Sequence, residues 1–466
     1  MKVTIIGTGY VGLTTGVALA YLGHEVVGLD VDERKIESLR KGTPPIFEPH
    51  LTELMKLASE RLSFTTRYEE AIPQADVVFI AVGTPSLNDG NPDLHYVRSA
   101  AEEVGRHLGD GFTVIVNKST VPVGSGNWVE SLVRDAFEAR NGSVPSGRYA
   151  VVSNPEFLRE GVALADTLYP DRIVVGAEDP RAVEVMYALY KPIIEQTFPA
   201  PNFLPRPEGL SAAPFITTDI PSAELIKYAA NAFLALKISY INEISRLAEK
   251  VGADVTRVAQ AIGLDKRIGS RFLQAGIGWG GSCFGKDTAA LVATAREYGV
   301  PTPIVEAART VNYQQREWVI EKLVNALKIL KGRTVGLLGI AFKPHTDDLR
   351  DAPALDIAKK LIERGVKVKV HDPVALENAR KELGDSGICY CDRAEEVAKN
   401  ADALILVTEW PQYRDLDWSH VRSLMRRPLV LDGRNFLEPQ AMLDLGFEYM
   451  GMGIGSLRPA SNAITQ

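Results

Sequence analysis

Lys2-Val3-Thr4-Ile5-Ile6-Gly7-Thr8-Gly9-Tyr10-Val11-Gly12 is the stretch that decides the fold of this chain. A short β-branched strand ends at Gly7, a helical stretch follows to Leu22, Gly23 stops it, and a second strand from Glu25 ends in Asp30. G-x-G-x-x-G in that setting is a dinucleotide-binding fingerprint. Its first glycine makes the tight turn, the second lets a pyrophosphate reach the backbone, and the third packs helix on strand. Gly7, Gly9, Tyr10, Val11 and Gly12 are therefore candidate cofactor residues. Asp30 can accept from both ribose hydroxyls and would repel a 2′-phosphate, so the cofactor expected is NAD rather than NADP. Lys35, one turn into the next helix, either closes over the ribose or is a solvated lysine.

The alternation continues outward from this unit. Strands are expected near Asp76–Val82, Phe112–Asn117 and Tyr149–Ser153, with helical stretches between. That pattern predicts a doubly wound sheet whose ligands gather at the carboxyl ends of the strands. Those ends carry Gly83-Thr84-Pro85, Lys118-Ser119-Thr120-Val121-Pro122 and Asn154-Pro155-Glu156-Phe157-Leu158-Arg159-Glu160-Gly161. Glu156 and Glu160 share a face if their segment is helical, and are two exposed acids if it is a turn. Five prolines between Pro199 and Pro214 read as an irregular surface connection.

Asp219 and Pro221 open a long helix that Gly252 ends. Its apolar residues run nearly all round, which predicts burial on several sides, a linking role between domains and contact with a second copy of the chain. Lys227 and Asn231 are spaced i,i+4 on it. The lysine either holds an anion or oxyanion or snorkels to solvent.

A glycine-rich loop, Gly276-Ile277-Gly278-Trp279-Gly280-Gly281-Ser282-Cys283-Phe284-Gly285-Lys286-Asp287, leads into a helical run. Cys283 then sits near a helix N-terminus, where N–H groups favour a thiolate nucleophile, and Asp287 lies one turn on. A small buried hydrophobe is the plain alternative. From Arg333 the opening pattern returns. A strand to Ile340, a helix over Ala354–Arg364 and a strand ending in Asp372 predict a second Rossmann-like domain without the glycine spacing. Lys343, Arg350 and Arg434 lie at its loop ends, where phosphates dock or surface salt bridges form. The fold class is α/β, two Rossmann-like doubly wound domains joined by a long central helix. The divisions expected are 1–205 for NAD, 206–330 for the helix and cysteine loop, and 331–466 for the second domain. The polar tail from Arg458 is expected to be disordered.

A net charge of -7 with no long basic run excludes a nucleic-acid surface. No run is long enough to span a membrane, and the glycines at 7, 9 and 12 break what would otherwise pass for a signal sequence. Three cysteines form no disulfide framework and no metal-ligand spacing, so a reducing, cytoplasmic setting without metal is expected.

Taken together these segments closely resemble the UDP-glucose/GDP-mannose dehydrogenase family, nearly end to end. The most specific likenesses are Gly280 to Asp287, Ser222 to Asn231, Asn154 to Gly161, and Ala341-Phe342-Lys343-Pro344. The resemblance implies oxidation of the C6 alcohol of UDP-glucose to a carboxylate with two NAD; GDP-mannose or a UDP-N-acetylhexosamine is the alternative substrate. It puts the nucleophile on Cys283 and its partners on Lys227, Asn231 and Asp287, with Glu156, Glu160 and Thr120 as candidates for handling water. It implies substrate contacts at Glu156, Phe157, Leu158, Lys227, Asn231, Phe272, Leu273, Gln274, Ala275, Gly276, Gly280, Lys343 and Arg434. Arg267 matches an arginine that reaches a neighbouring subunit's substrate, which goes with a homodimer. Cofactor contacts fall on Val11, Asp30, Lys35, Thr84, Thr120, Lys286 and Arg350. Gly285 stands where many members have proline. A two-electron dehydrogenase of a hydroxy acid or acyl thioester would release one NADH, and a regulator that only senses NAD would release none.

Overall fold

The computed structural model describes residues 1–85, 87 and 92–457, so the expectation for the tail from Arg458 lies outside the described residues. The chain divides into two compact units, Met1–Ala230 with Ala289–Gly299, and Asn231–Thr288 with the residues from Val300 onward.

The first unit is built on an eight-stranded sheet. Its strands are β1 (Lys2–Ile6), β2 (Glu25–Leu29), β3 (Leu62–Thr65), β4 (Val77–Ile80), β5 (Thr113–Asn117), β6 (Tyr149–Ser153), β7 (Ile173–Ala177) and β8 (Phe215–Thr218), in the order β3-β2-β1-β4-β5-β6-β7-β8. Pairing is parallel except between β6 and β7. All four residues of β4 are buried, as a strand covered on both faces requires, and each contributes roughly 1.5–3 kcal/mol by leaving water. The proline-rich connection returns the chain to the sheet edge as β8, beside β7.

The second unit repeats the plan with a seven-stranded sheet. Here β9 (Thr334–Leu338), β10 (Lys367–His371), β11 (Ile388–Tyr390), β12 (Ala403–Leu406), β13 (Leu429–Asp432), β14 (Glu448–Gly451) and β15 (Ser456–Leu457) run in the order β11-β10-β9-β12-β13-β14-β15. Counted from its own first strand, this is the 3-2-1-4-5-6 order of the first sheet. Among the described residues only its β14–β15 pair is antiparallel.

The long helix spans Ile220–Val251. Asp219 caps it, accepting from the Ser222 N–H at 2.7 Å and hydroxyl at 2.9 Å, and Gly252 ends it at φ +75°. Its residues to Ala230 belong to the first unit and those from Asn231 to the second. Among the described residues, no helix is long and apolar enough to cross a membrane.

Candidate active site

In the first unit the glycine loop has the shape its spacing predicts. A side chain at Gly7 would meet the Ala81 carbonyl at 2.5 Å and one at Gly12 the Gly7 carbonyl at 1.9 Å, whereas Gly9 faces open space. That open position, at the start of the helix Tyr10–Tyr21, is where backbone can approach a pyrophosphate. Asp30 is buried at the end of β2. One carboxylate oxygen accepts from the Thr8 N–H (2.9 Å) and hydroxyl (2.8 Å), the other from the Asp32 N–H (3.1 Å), and Lys35 Nζ lies 3.5 Å away. Burial works to raise the Asp30 carboxyl, but those donors and Lys35 outweigh it and hold it below the usual range. Thr84 and Thr120, at the ends of β4 and β5, are brought together: the Thr84 hydroxyl donates to the Thr120 carbonyl at 2.9 Å.

The segment after β6 is not helical, so Glu156 and Glu160 do not share a helix face. Glu156 turns inward instead. Lys227 Nζ donates to its carboxylate at 2.7 Å and its carbonyl at 2.6 Å, and the Leu158 N–H donates to the other carboxylate oxygen at 2.6 Å. Both side chains are nearly inaccessible, 4% for Lys227 and 6% for Glu156. Lys227 therefore does not snorkel. Burial opposes ionisation of Glu156, yet Lys227, the Leu158 N–H and Lys118 prevail and hold its carboxyl below the ordinary value. Phe157 lies under Lys227, 5.6 Å from Nζ to the ring centre. Glu48 accepts from the N–H groups of Gly161 and Ala163, both at 2.7 Å, and pins the far end of the same loop.

In the second unit Cys283 immediately precedes the helix Phe284–Glu297, and its carbonyl accepts the Asp287 N–H at 2.7 Å. The thiol is half-buried, with Sγ 3.6 Å from the Ser282 hydroxyl. Asp287 is 1% exposed; Asn231 donates to one carboxylate oxygen at 2.6 Å and Lys286 Nζ lies 3.0 Å from the other. The sequence thus foresees the cysteine beside a helix start and a carboxylate one turn along.

The loop leading to Cys283 is buried yet irregular, so its backbone polar groups need partners. Asn242 accepts from the Gly276 N–H (2.8 Å), and Asn312 both accepts from the Trp279 N–H (2.7 Å) and donates to its carbonyl (3.0 Å). Gln315 donates to the Gly276 carbonyl (2.9 Å), Arg434 to the Gly278 carbonyl (3.1 Å), and the Gly281 N–H donates to the Arg350 carbonyl (2.8 Å). Asn242, Asn312 and Gln315 are 0% exposed, and sequence reading missed all three. Their signal was available, because Asn312 and Gln315 fall on the buried stripe of the helix Pro303–Leu327 with Val319 and Ile320.

The remaining expected residues spread along this unit. Leu273, Ala275, Gly276 and Gly280 are buried, Phe272 takes a left-handed φ of +65° with its ring 6.3 Å from that of Phe284, and Gln274 is exposed. A side chain at Gly280 would strike the Asp351 carbonyl at 2.4 Å. Arg350 grips Asp348, with contacts of 2.7–3.0 Å, and Lys343 Nζ lies 5.2 Å from the Phe342 ring centre. Arg267 pairs with Asp265 at 2.6 Å while 88% exposed. Among the described residues no group of His, Cys, Asp and Glu is arranged to hold a metal ion.

Residues 1–194 match the NAD binding domain of the UDP-glucose/GDP-mannose dehydrogenase family, residues 221–314 its central domain and residues 336–439 its UDP binding domain. The chain is 44% identical over 461 residues to the UDP-glucose 6-dehydrogenase TuaD of Bacillus subtilis, covering 98% of this chain and 94% of that protein. It is 46% identical over 459 residues to a UDP-glucose 6-dehydrogenase of Rhizobium meliloti, covering 97% and 99%. Among solved structures, a UDP-glucose dehydrogenase from the hyperthermophilic archaeon Pyrobaculum islandicum matches with a TM-score of 0.85 at 41% identity, covering 97% of each chain.

Proposed function

Because this chain belongs to the UDP-glucose/GDP-mannose dehydrogenase family, we propose that it oxidises UDP-glucose to UDP-glucuronate through a covalent intermediate on Cys283. The observation that carries this reading is Cys283 at the start of a helix whose Asp287 is gripped by Asn231. The open Gly9 turn and Asp30 would hold NAD, which would supply the hydride acceptor for each of two oxidations.

In the first oxidation Asp287, directly or through water, takes the C6 hydroxyl proton, while Lys227 and Asn231 stabilise the developing alkoxide. The aldehyde has no second hydride to give until a nucleophile adds. Cys283 thiolate supplies it, giving a thiohemiacetal that is oxidised to a thioester. Hydrolysis then releases the acid, with Glu156 or Glu160 and Thr120 positioning or deprotonating the water.

We assign residues 1–205 to the cofactor, 206–330 to the connecting helix and catalytic loop, and 331–466 to the nucleotide sugar, with Lys343 and Arg434 on its phosphates. Three cysteines in 466 residues are too few for a disulfide framework, which supports a reducing, cytoplasmic setting.

An absorbance assay at the NADH band tests the reading. With UDP-glucose, two NADH are expected per sugar consumed, against little turnover of GDP-mannose or UDP-N-acetylglucosamine, and little with NADP. One NADH per sugar would leave a simple alcohol dehydrogenase.

We also propose a homodimer through the long helix. Phe233, Tyr240, Leu247 and Val251 follow one another at seven, seven and four residues, and are 60, 51, 58 and 68% exposed, an apolar stripe that a second copy would cover. Light scattering should give twice 50.9 kDa, and Phe233→Asp with Leu247→Asp should halve it. A wild-type mass of one chain would refute the dimer.

A further inference from the structure

Glu224 stands on the long helix three residues before Lys227, so the two share a face. It is 3% exposed, and the residues that its carboxylate binds are about a hundred positions away in sequence. One oxygen accepts from the Gly124 N–H at 2.6 Å and the other from the Gly126 N–H at 2.8 Å. These donors begin the helix Ser125–Asn141, whose own cap position, Gly124, has no side chain to offer. A local serine or aspartate would cap that helix without desolvating a charge. The cap comes instead from the helix that carries Lys227.

The segment so gripped is the Thr120 loop. At its start Lys118 is buried, with Nζ 3.0 Å from Asn154 Oδ1, and the Ser119 hydroxyl donates to the Val82 carbonyl at 2.8 Å. At its end stand the two N–H groups held by Glu224. Thr120 lies between these anchors, and Lys118, Thr120, Val121, Glu224 and Lys227 line one small pocket.

We propose that Glu224 is a positioning residue of the reaction, its ionised carboxylate setting the Thr120 loop in register with Lys227. This deepens the function proposed above and rests on it. Both N–H bonds are charge-assisted, so a proton on the carboxylate weakens them and slackens the loop. Burial raises the Glu224 carboxyl to about 7, against the pull of the Gly124 and Gly126 N–H groups, so the clamp tightens as pH rises through neutrality. The titratable groups around the pocket are Lys227 and Tyr228 on the same helix, Glu156 after β6, which pairs with Lys227, and Lys118 at the end of β5. Lys118 is pushed down to about 8 by burial, although Glu156 favours its charge, and it titrates on the alkaline side.

The test is kcat and KM against pH for wild type, Glu224→Gln and Glu224→Asp, with melting temperatures alongside. Glu224→Gln should lower kcat about 10- to 100-fold, the scale of a misplaced catalytic element, with KM for UDP-glucose within about twofold. It should also lose the rise in kcat near pH 7. Glu224→Asp, charged but too short to span both donors, should lower kcat and keep a rise. Unchanged pH profiles in both variants, with activity falling only as melting temperature falls, would overturn the proposal. Should Glu224→Gln fail to fold, an aspartate variant of wild-type kcat would do the same. Failure of the wild-type enzyme to oxidise UDP-glucose would instead strike the function itself.

Discussion

Replacing Cys283 by alanine is expected to cut formation of the acid more than about 10³-fold, the scale of losing a covalent nucleophile, while leaving the fold intact. The side chain is half-buried at a helix start, so removing its sulfur opens no large core cavity. The first oxidation does not need the thiol. Cys283→Ala should therefore still reach the aldehyde level, with at most one NADH per sugar. Cys283→Ser should stall with an aldehyde-level or covalent species, because a serine ester lacks the ready hydrolysis of a thioester; intact-protein mass would reveal the adduct. Acid production at the wild-type rate by the alanine variant would dismiss the covalent route.

Lys227→Met is expected to cost about 10²–10³ in kcat, the usual loss when one donor to a developing oxyanion is removed. It should also destabilise the protein by about 3–5 kcal/mol, because Glu156 is left as a buried carboxylate without its cation. The two effects separate in the double variant. Adding Glu156→Gln removes the stranded charge, so the urea midpoint should recover most of its loss while kcat stays low. If activity recovered together with stability, Lys227 would be a structural partner of Glu156 and have no part in the chemistry.

What could be read from the sequence was what is local. The glycine turn, Asp30 and the cap at Asp219 are each fixed by neighbours within a few residues, and so is the step from Cys283 to Asp287. The second Rossmann-like sheet was legible because the strand, helix and strand from Arg333 to Asp372 repeat the opening unit of the chain. Other strands escaped, β3, β7, β8, β11, β13, β14 and β15 among them: all but β7 have four residues or fewer and show little period, and β8 was hidden behind five prolines. Pairings across long separations also escaped. Nothing near Lys227 announces that its partner is Glu156, 71 residues earlier, and nothing near Gly124 points to Glu224. Such pairs are set by which strand ends the topology brings level, which a linear reading does not contain. Glu156 and Glu160 would share a face in a helix, but the segment is irregular and the tertiary contact with Lys227 draws Glu156 inward.

The polypeptide around Cys283 has no hydrogen-bond ladder of its own; its shape is dictated by amides and a guanidinium rooted in other elements. An engineer who transplants residues 276–283 into another scaffold to move this chemistry would carry the letters without the mould. Asn242, Asn312, Gln315 and Arg434 would have to travel with them, and the helices and the turn after β13 that present those four would have to keep their spacing.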